Sequence, residues 1–179
     1  GIDVGLLSSL PIVFQRSHAR ATFGRLGIHP PRGTSVNDYV FRRDCLEVDI
    51  EKDGRQLTLF ICHFKSMHGG RKRTVAVREA EAQAVRRVIS QRFQNPAEAE
   101  WVILGDFNDY WEVDGRPARP HGLGPLVGDG FAVDLASRAI ANPYERWTHH
   151  YSGDDTYGAL DHIFLSPRLA ALNPAASVE

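Results

Sequence analysis

Apolar positions along the chain follow two rhythms. Over residues 3–8 a short apolar run predicts a buried strand ending near Pro11, and residues 12–18 predict a second. Residues 24–34 carry Gly24, Gly27, Pro30, Pro31 and Gly33 and read as a loop. Residues 40–51 alternate in part, with Cys45, Leu46, Val48 and Ile50 as the apolar members. Asp53 and Gly54 then interrupt the pattern, and residues 56–64 resume as a largely apolar run. Two such runs around Asp-Gly predict a hairpin. Over residues 74–93 the spacing changes to three and four. Val77, Ala80, Ala84, Val88 and Ile89 form one apolar stripe, and Arg78, Arg86, Arg87 and Arg92 lie largely off it. That is a helix, stopped by Asn95 and Pro96. Residues 101–104 form a short apolar strand feeding into Gly105 and Asp106. A Gly- and Pro-rich stretch follows over 115–130, then a short apolar piece at 131–135 and a polar loop to Gly158. Residues 160–165 are a last strand, stopped by Ser166 and Pro167. Strands around one long helix, with no repeat and no linker, predict a single layered α/β or α+β domain over 1–179.

Composition narrows the class. The 179 residues are 42% hydrophobic and 24% charged, which excludes disordered, collagen-like and coiled-coil chains. No apolar run is long enough to span a membrane. The chain opens GIDVGLLSS, without a starter Met or a basic-then-apolar leader. Two cysteines, Cys45 and Cys62, exclude a disulfide framework, and Cys62 sits in an apolar strand where packing is expected. The net charge of −1 conceals an asymmetry. Residues 1–100 hold 16 basic and 11 acidic residues, whereas residues 101–179 hold 5 and 11. A basic stripe at Arg71, Lys72, Arg73, Arg78, Arg86, Arg87 and Arg92 beside acidic Asp106, Asp109, Asp154, Asp155 and Asp161 suits a polyanion held next to a metal cation; the alternative is two solvated faces.

Three segments carry candidate chemistry. The apolar strand before Gly105 delivers Asp106 and Asn108 to its carboxyl end, on one side of an extended chain. A carboxylate and an amide placed together there suit an oxygen-liking cation and a phosphoryl oxygen. His63 ends another apolar strand, where an imidazole can donate to a phosphate or protonate a leaving group, or else be a structural hydrogen-bonding residue. Lys65 adds a cation two residues on. Asp161 and His162 point to opposite faces of a strand, so only one belongs to a given site. Tyr110 and Trp111 follow the Asp106 segment and can line a cleft, stack on a base or cap the core. Trp147 and Tyr151 flank His149 and His150, a pair expected at the surface. There is no Gly-x-Ser-x-Gly, no phosphate-binding glycine loop and no zinc-finger cysteine spacing.

In order, HFKS at 63–66, GDFND at 105–109 and LDHIFLSP at 160–167 resemble the endonuclease/exonuclease/phosphatase superfamily with the DNase I-like fold. GIDVGLLSSLPI at 1–12, FRRDCLEVDI at 41–50, and Arg78 with Gln83 and Ala84 are similar to further segments of that family. The resemblance spans nearly the whole chain and implies an α/β (α+β four-layer) DNase I-like β-sandwich flanked by helices, present here incompletely. It also implies roles. Asp106 would position or activate the attacking water near a Mg²⁺ or Mn²⁺ ion, with Asp106 and Asn108 at the metal and Asn108 on the phosphate. His63 would bind the phosphate or assist the leaving group. Asp161 would orient a second histidine further along, which leaves His162 structural. Arg43 would face the phosphate; Lys65, Tyr110 and Trp111 are expected substrate contacts from their own positions beside His63 and Asp106. The family's upstream Asn and metal-binding Glu, and its closing Ser-Asp-His, do not occur in this sequence. The resemblance thus implies a metal-dependent phosphoesterase missing both ends and weak alone. A nuclease acting on nucleic acid is the first reading. The alternatives are a phosphatase or phosphodiesterase for small or lipid-linked phosphoesters, and a non-catalytic binding module.

Overall fold

The computed structural model describes residues 3–113, 115–153 and 155–174, and Asp154 lies outside them. In chain order the strands are β1 (Ile12–Ser17), β2 (Cys45–Lys52), β3 (Arg55–His63), β4 (Trp101–Asp106), β5 (Glu112–Val113), β6 (Arg116–Pro117), β7 (Val133–Asp134), β8 (His149–Tyr151), β9 (Thr156–Gly158) and β10 (Asp161–Leu165). The helices are α1 (Phe23–Leu26), α2 (Arg71–Arg92), α3 (Gly124–Val127), α4 (Leu135–Ala139) and α5 (Pro167–Leu172). Six strands form a mixed sheet in the order β1-β2-β3-β4-β10-β7, while β5-β6 and β8-β9 are separate two-stranded ribbons. The fold is α/β, a mixed sheet with flanking helices.

The Asp53-Gly54 turn closes β2 onto β3 with positive φ at both residues, 54° and 75°, as a two-residue hairpin requires. Strand β3 then crosses through α2 and returns as β4, parallel to it, while the other pairings in the sheet are antiparallel. The expected strand over 40–51 starts only at Cys45, because Val40 and Phe41 are buried in the preceding loop. Residues 3–8 form no strand, and Leu7 is 99% exposed. The loop expected at 24–34 begins inside α1, a single turn capped by the Thr22 hydroxyl and a left-handed Gly27.

Helix α2 covers one face of the sheet. Ala80, Ala84, Val85, Val88 and Ile89 pack there with Phe60, Trp101, Ile103 and Phe164. The opposite face is covered more thinly. Val102, Leu165 and Ala170 are buried with Leu57, Leu59 and Leu104 around them, under α4 and α5, but Ile163 remains 42% exposed and Ile12 45%. The described residues supply one large sheet of the expected sandwich.

Candidate active site

Strand register builds the site. His63 pairs with Asp106 across the parallel β3-β4 seam, and Asp161 pairs with Asp106 across the antiparallel β4-β10 seam. Three chemically active side chains therefore stand in a row on adjacent strands, on the face turned away from α2. Neighbouring strands are about 4.8 Å apart, so the row is as tight as a sheet permits. His63 Nε2 lies 3.7 Å from Asp106 Oδ2, and both side chains are partly exposed. The Asp106 carbonyl accepts from the Phe64 N–H at 2.9 Å, which ties the ends of the two strands together.

Beyond Asp106 the chain turns sharply. Asn108 adopts a φ of 50°, its backbone N–H donates to Asp106 Oδ1 at 2.8 Å, and its side-chain Nδ2 donates to the Phe64 carbonyl at 3.1 Å. One amide hydrogen and the carboxamide oxygen of Asn108 are left for other partners. Arg43 reaches the same carbonyl at 3.5 Å. Burial raises the Asp106 pKa and the charge of Asp161 adds to that, while the Asn108 N–H, His63 and Arg43 oppose it.

Of the expected substrate contacts, Tyr110 lines a cleft. Trp111 instead packs against the main core and does not line that cleft. The Lys65 ammonium donates to the carbonyl and hydroxyl of Ser66, so its charge folds back on its neighbour. His162 turns to the opposite face from Asp161. Its Nε2 donates to the Asp109 carbonyl at 3.0 Å, and Nδ1 lies 3.6 Å from Asp134.

Two buried carboxylates have structural roles that the sequence did not assign: Asp109, placed there in the acidic cluster, and Glu81. Asp109, fully buried, accepts from Arg78 Nε and Arg71 Nε at 2.9 Å each, from the Gly122 N–H at 2.8 Å and from the Tyr110 N–H at 3.0 Å. Burial pushes its pKa up, but the Gly122 N–H and Arg78 outweigh that and hold the carboxyl below its usual range. Glu81, also fully buried, accepts from the Arg42 and Lys65 backbone N–H groups at 3.0 and 2.8 Å. Asp109 fastens the loop after β4 to α2, and Glu81 fastens the loop after β3. These contacts revise the basic stripe. Arg71 and Arg78 are spent on Asp109, Arg86 pairs with Asp129, and Arg92 pairs with Glu47 and Asp49. Lys72, Arg73 and Arg87 remain exposed, with no ion pair among the described residues.

Among the described residues no group of three or more His, Cys, Asp or Glu side chains is arranged to hold a metal ion. The donors that suit a hard cation are the carboxylates of Asp106 and Asp161 and the Asn108 carboxamide oxygen. Mg²⁺ is satisfied by one or two carboxylates with waters and substrate oxygens, and the repulsion between Asp106 and Asp161 is of the kind that a divalent cation relieves.

The family model for the endonuclease/exonuclease/phosphatase family matches residues 1–178. The chain belongs to that family. Its members are hydrolases acting on phosphoester bonds and typically use divalent metals. No curated protein matches the chain. Among solved structures it is similar to the human Nocturnin catalytic domain with bound sulfate anion (14% identity, TM-score 0.54, 88% of this chain and 48% of that one). It is also similar to D. rerio TDP2 complexed with single strand DNA product (15% identity, TM-score 0.52, 88% and 53%). Truncated Caenorhabditis elegans TDP2 matches at 18% identity and TM-score 0.51, over 88% and 53%. The chain thus spans about half the length of these structures, and at such identities the likeness is one of fold.

Proposed function

We propose that this chain carries the reacting face of a Mg²⁺- or Mn²⁺-dependent phosphodiesterase whose substrate is nucleic acid. The observation that supports this reading is the row of His63, Asp106 and Asp161 on three hydrogen-bonded strand tips, with Asn108 and Arg43 converging on the Phe64 carbonyl beside it. Arg43 and the remaining Asn108 amide hydrogen would hold phosphate oxygens. His63 Nε2 would donate to a phosphate oxygen or to the departing oxygen. Asp106 would accept a proton from the attacking water and orient it. A cation held by Asp106, Asn108 and Asp161 would neutralise charge on the phosphoryl group.

Magnitudes require that division of labour. Phosphate-ester hydrolysis demands roughly 20 kcal/mol of transition-state stabilisation. A general acid such as His63 supplies about 10²–10⁴-fold, roughly 3–5.5 kcal/mol. Positioned charge must supply the rest. The TDP2 structure holding a single strand DNA product and the exposed Lys72 and Arg73 at the start of α2 favour nucleic acid over a small phosphoester.

The test is hydrolysis of bis(4-nitrophenyl) phosphate and of a labelled oligonucleotide with added Mg²⁺ or Mn²⁺. His63→Ala and Asp106→Ala are each expected to lower turnover by at least about 10²-fold with an unchanged circular-dichroism spectrum. Turnover that survives in both variants, or that chelator leaves untouched, refutes the reading.

A further inference from the structure

A cleft of about 470 Å³ is lined in part by residues that neighbour the site residues along the chain. Three of its lining residues come from the segments that carry the site. Met67 lies just past His63, Tyr110 just past Asn108, and Leu160 just before Asp161. Its opposite wall is the β8-β9 ribbon with Trp147. Trp147 and Tyr157 line it and are 50% and 56% exposed. Its charged lining residues, Glu112 and Arg146, neutralise each other at 2.7 Å. The cleft is therefore aromatic and electrically balanced, unsuited to a phosphate and suited to a flat uncharged ring.

The rings are held in place by their neighbours. Arg71 lies 3.8 Å over the Tyr110 ring while donating to the Tyr110 carbonyl and to Asp109. Tyr157 stacks on His150 at 4.5 Å and meets Trp147 edge-on at 5.0 Å, and His150 is itself bonded to Asp155 at 2.8 Å. Resting on the proposed phosphodiesterase reading, we infer that this cleft stacks an unpaired nucleobase next to the phosphate held by Arg43 and Asn108, so that the chain selects single-stranded over duplex nucleic acid. In a duplex both faces of a base are covered by its neighbours, and an aromatic wall gains nothing from them. A run of several rings, with Lys72 and Arg73 beside Arg71 on α2, suits a repeating chain of bases and phosphates better than one isolated aryl phosphate.

The experiment measures binding in chelator, by fluorescence anisotropy, of a thymidine 12-mer, an abasic 12-mer with the same phosphates, a 12-base-pair duplex and a phosphotyrosine peptide. The thymidine 12-mer is expected to bind about 5- to 150-fold more tightly than the abasic one, the range of one stacked base. Trp147→Ala and Tyr157→Ala are each expected to shrink that ratio toward one while leaving abasic and duplex binding unchanged. The unmodified chain already decides the matter through the thymidine-to-abasic ratio, so a variant that fails to fold does not stall the test. Equal binding of the two 12-mers overturns the inference. So does a ratio that both folded variants preserve, or a phosphotyrosine peptide that binds as tightly as the thymidine 12-mer. Base-dependent binding without hydrolysis of bis(4-nitrophenyl) phosphate overturns the phosphodiesterase reading instead and leaves the stacking cleft standing.

Discussion

Burial raises the Glu81 carboxyl from 4.5 to about 7, against two backbone N–H groups that pull it down. Between those values the folded chain holds a proton that the unfolded chain has released. The stability tied to that proton is complete below 4.5 and is lost as pH rises through about 7. The urea midpoint is therefore expected to fall between about pH 5 and about pH 8, and Glu81→Gln should flatten that slope. The amide also leaves one of the two N–H donors without an acceptor, a uniform cost of about 1–3 kcal/mol. A midpoint that falls equally in both proteins would place the titrating group elsewhere. At this scale the sequence is readable where a side chain ends a strand. His63 and Asp106 follow apolar runs, and extended geometry fixes where such residues emerge. The structural roles of Glu81 and Asp109 are unreadable, because a buried acid is identified by the donors around it, and those donors are side chains 31 and 38 residues away, or backbone groups that carry no sequence mark.

Helix α2 shows the same limit in a whole element. Its length and its apolar stripe are written in the spacing of Ala80, Ala84, Val88 and Ile89. Arg78 and Glu81 are nonetheless fully buried on the same helix, each one turn before a buried apolar residue, Ala82 and Val85. The stripe through Val77, Ala80, Ala84, Val88 and Ile89 left Arg78 outside it and did not mark Glu81; both are buried because Asp109 and the Arg42 and Lys65 N–H groups satisfy them. Arg78→Ala is expected to cost about 3–5 kcal/mol in denaturant unfolding, since Asp109 would stay buried with its main partner gone. A loss below about 1 kcal/mol would mean that Arg71 and the backbone donors suffice for Asp109. Strand β4 depends on a glycine in another way. Gly105 has a φ of 135°, and a methyl group there would collide with the Cys62 carbonyl oxygen in the neighbouring strand. Gly105→Ala is expected to destabilise by more than about 4 kcal/mol and to part β3 from β4 where His63 and Asp106 face each other. A well-folded, fully active alanine variant would contradict that packing.

Across the whole molecule, the basic first part and the acidic second part of the chain are largely spent on each other. Arg71 and Arg78 meet Asp109, Arg86 meets Asp129, and each pair joins residues more than 30 positions apart. The charge asymmetry thus announces internal pairing as much as a partner. The salt dependence of oligonucleotide binding should accordingly rest on the unspent residues. Lys72→Ala, Arg73→Ala and Arg87→Ala are each expected to lower the log–log salt slope by up to about one unit. Arg86→Ala should leave the slope in place; a large change there would show that its pair with Asp129 opens to take phosphate. Strand order was the least accessible property. Nothing local says that β10, last in the chain, inserts between β4 and β7, yet that insertion brings Asp161 beside Asp106.

The β8-β9 ribbon pairs only with itself among the described strands, whereas His63, Asp106 and Asp161 belong to the six-stranded sheet. A contact from the ribbon region to the sheet runs through the Thr148 hydroxyl, which accepts from the Leu160 and Asp161 N–H groups at 3.0 Å each. Such an arrangement makes selectivity modular. On the proposed reading, exchanging residues near 147–158 is expected to change which ligand is taken while the six-stranded sheet keeps His63, Asp106 and Asp161 in register.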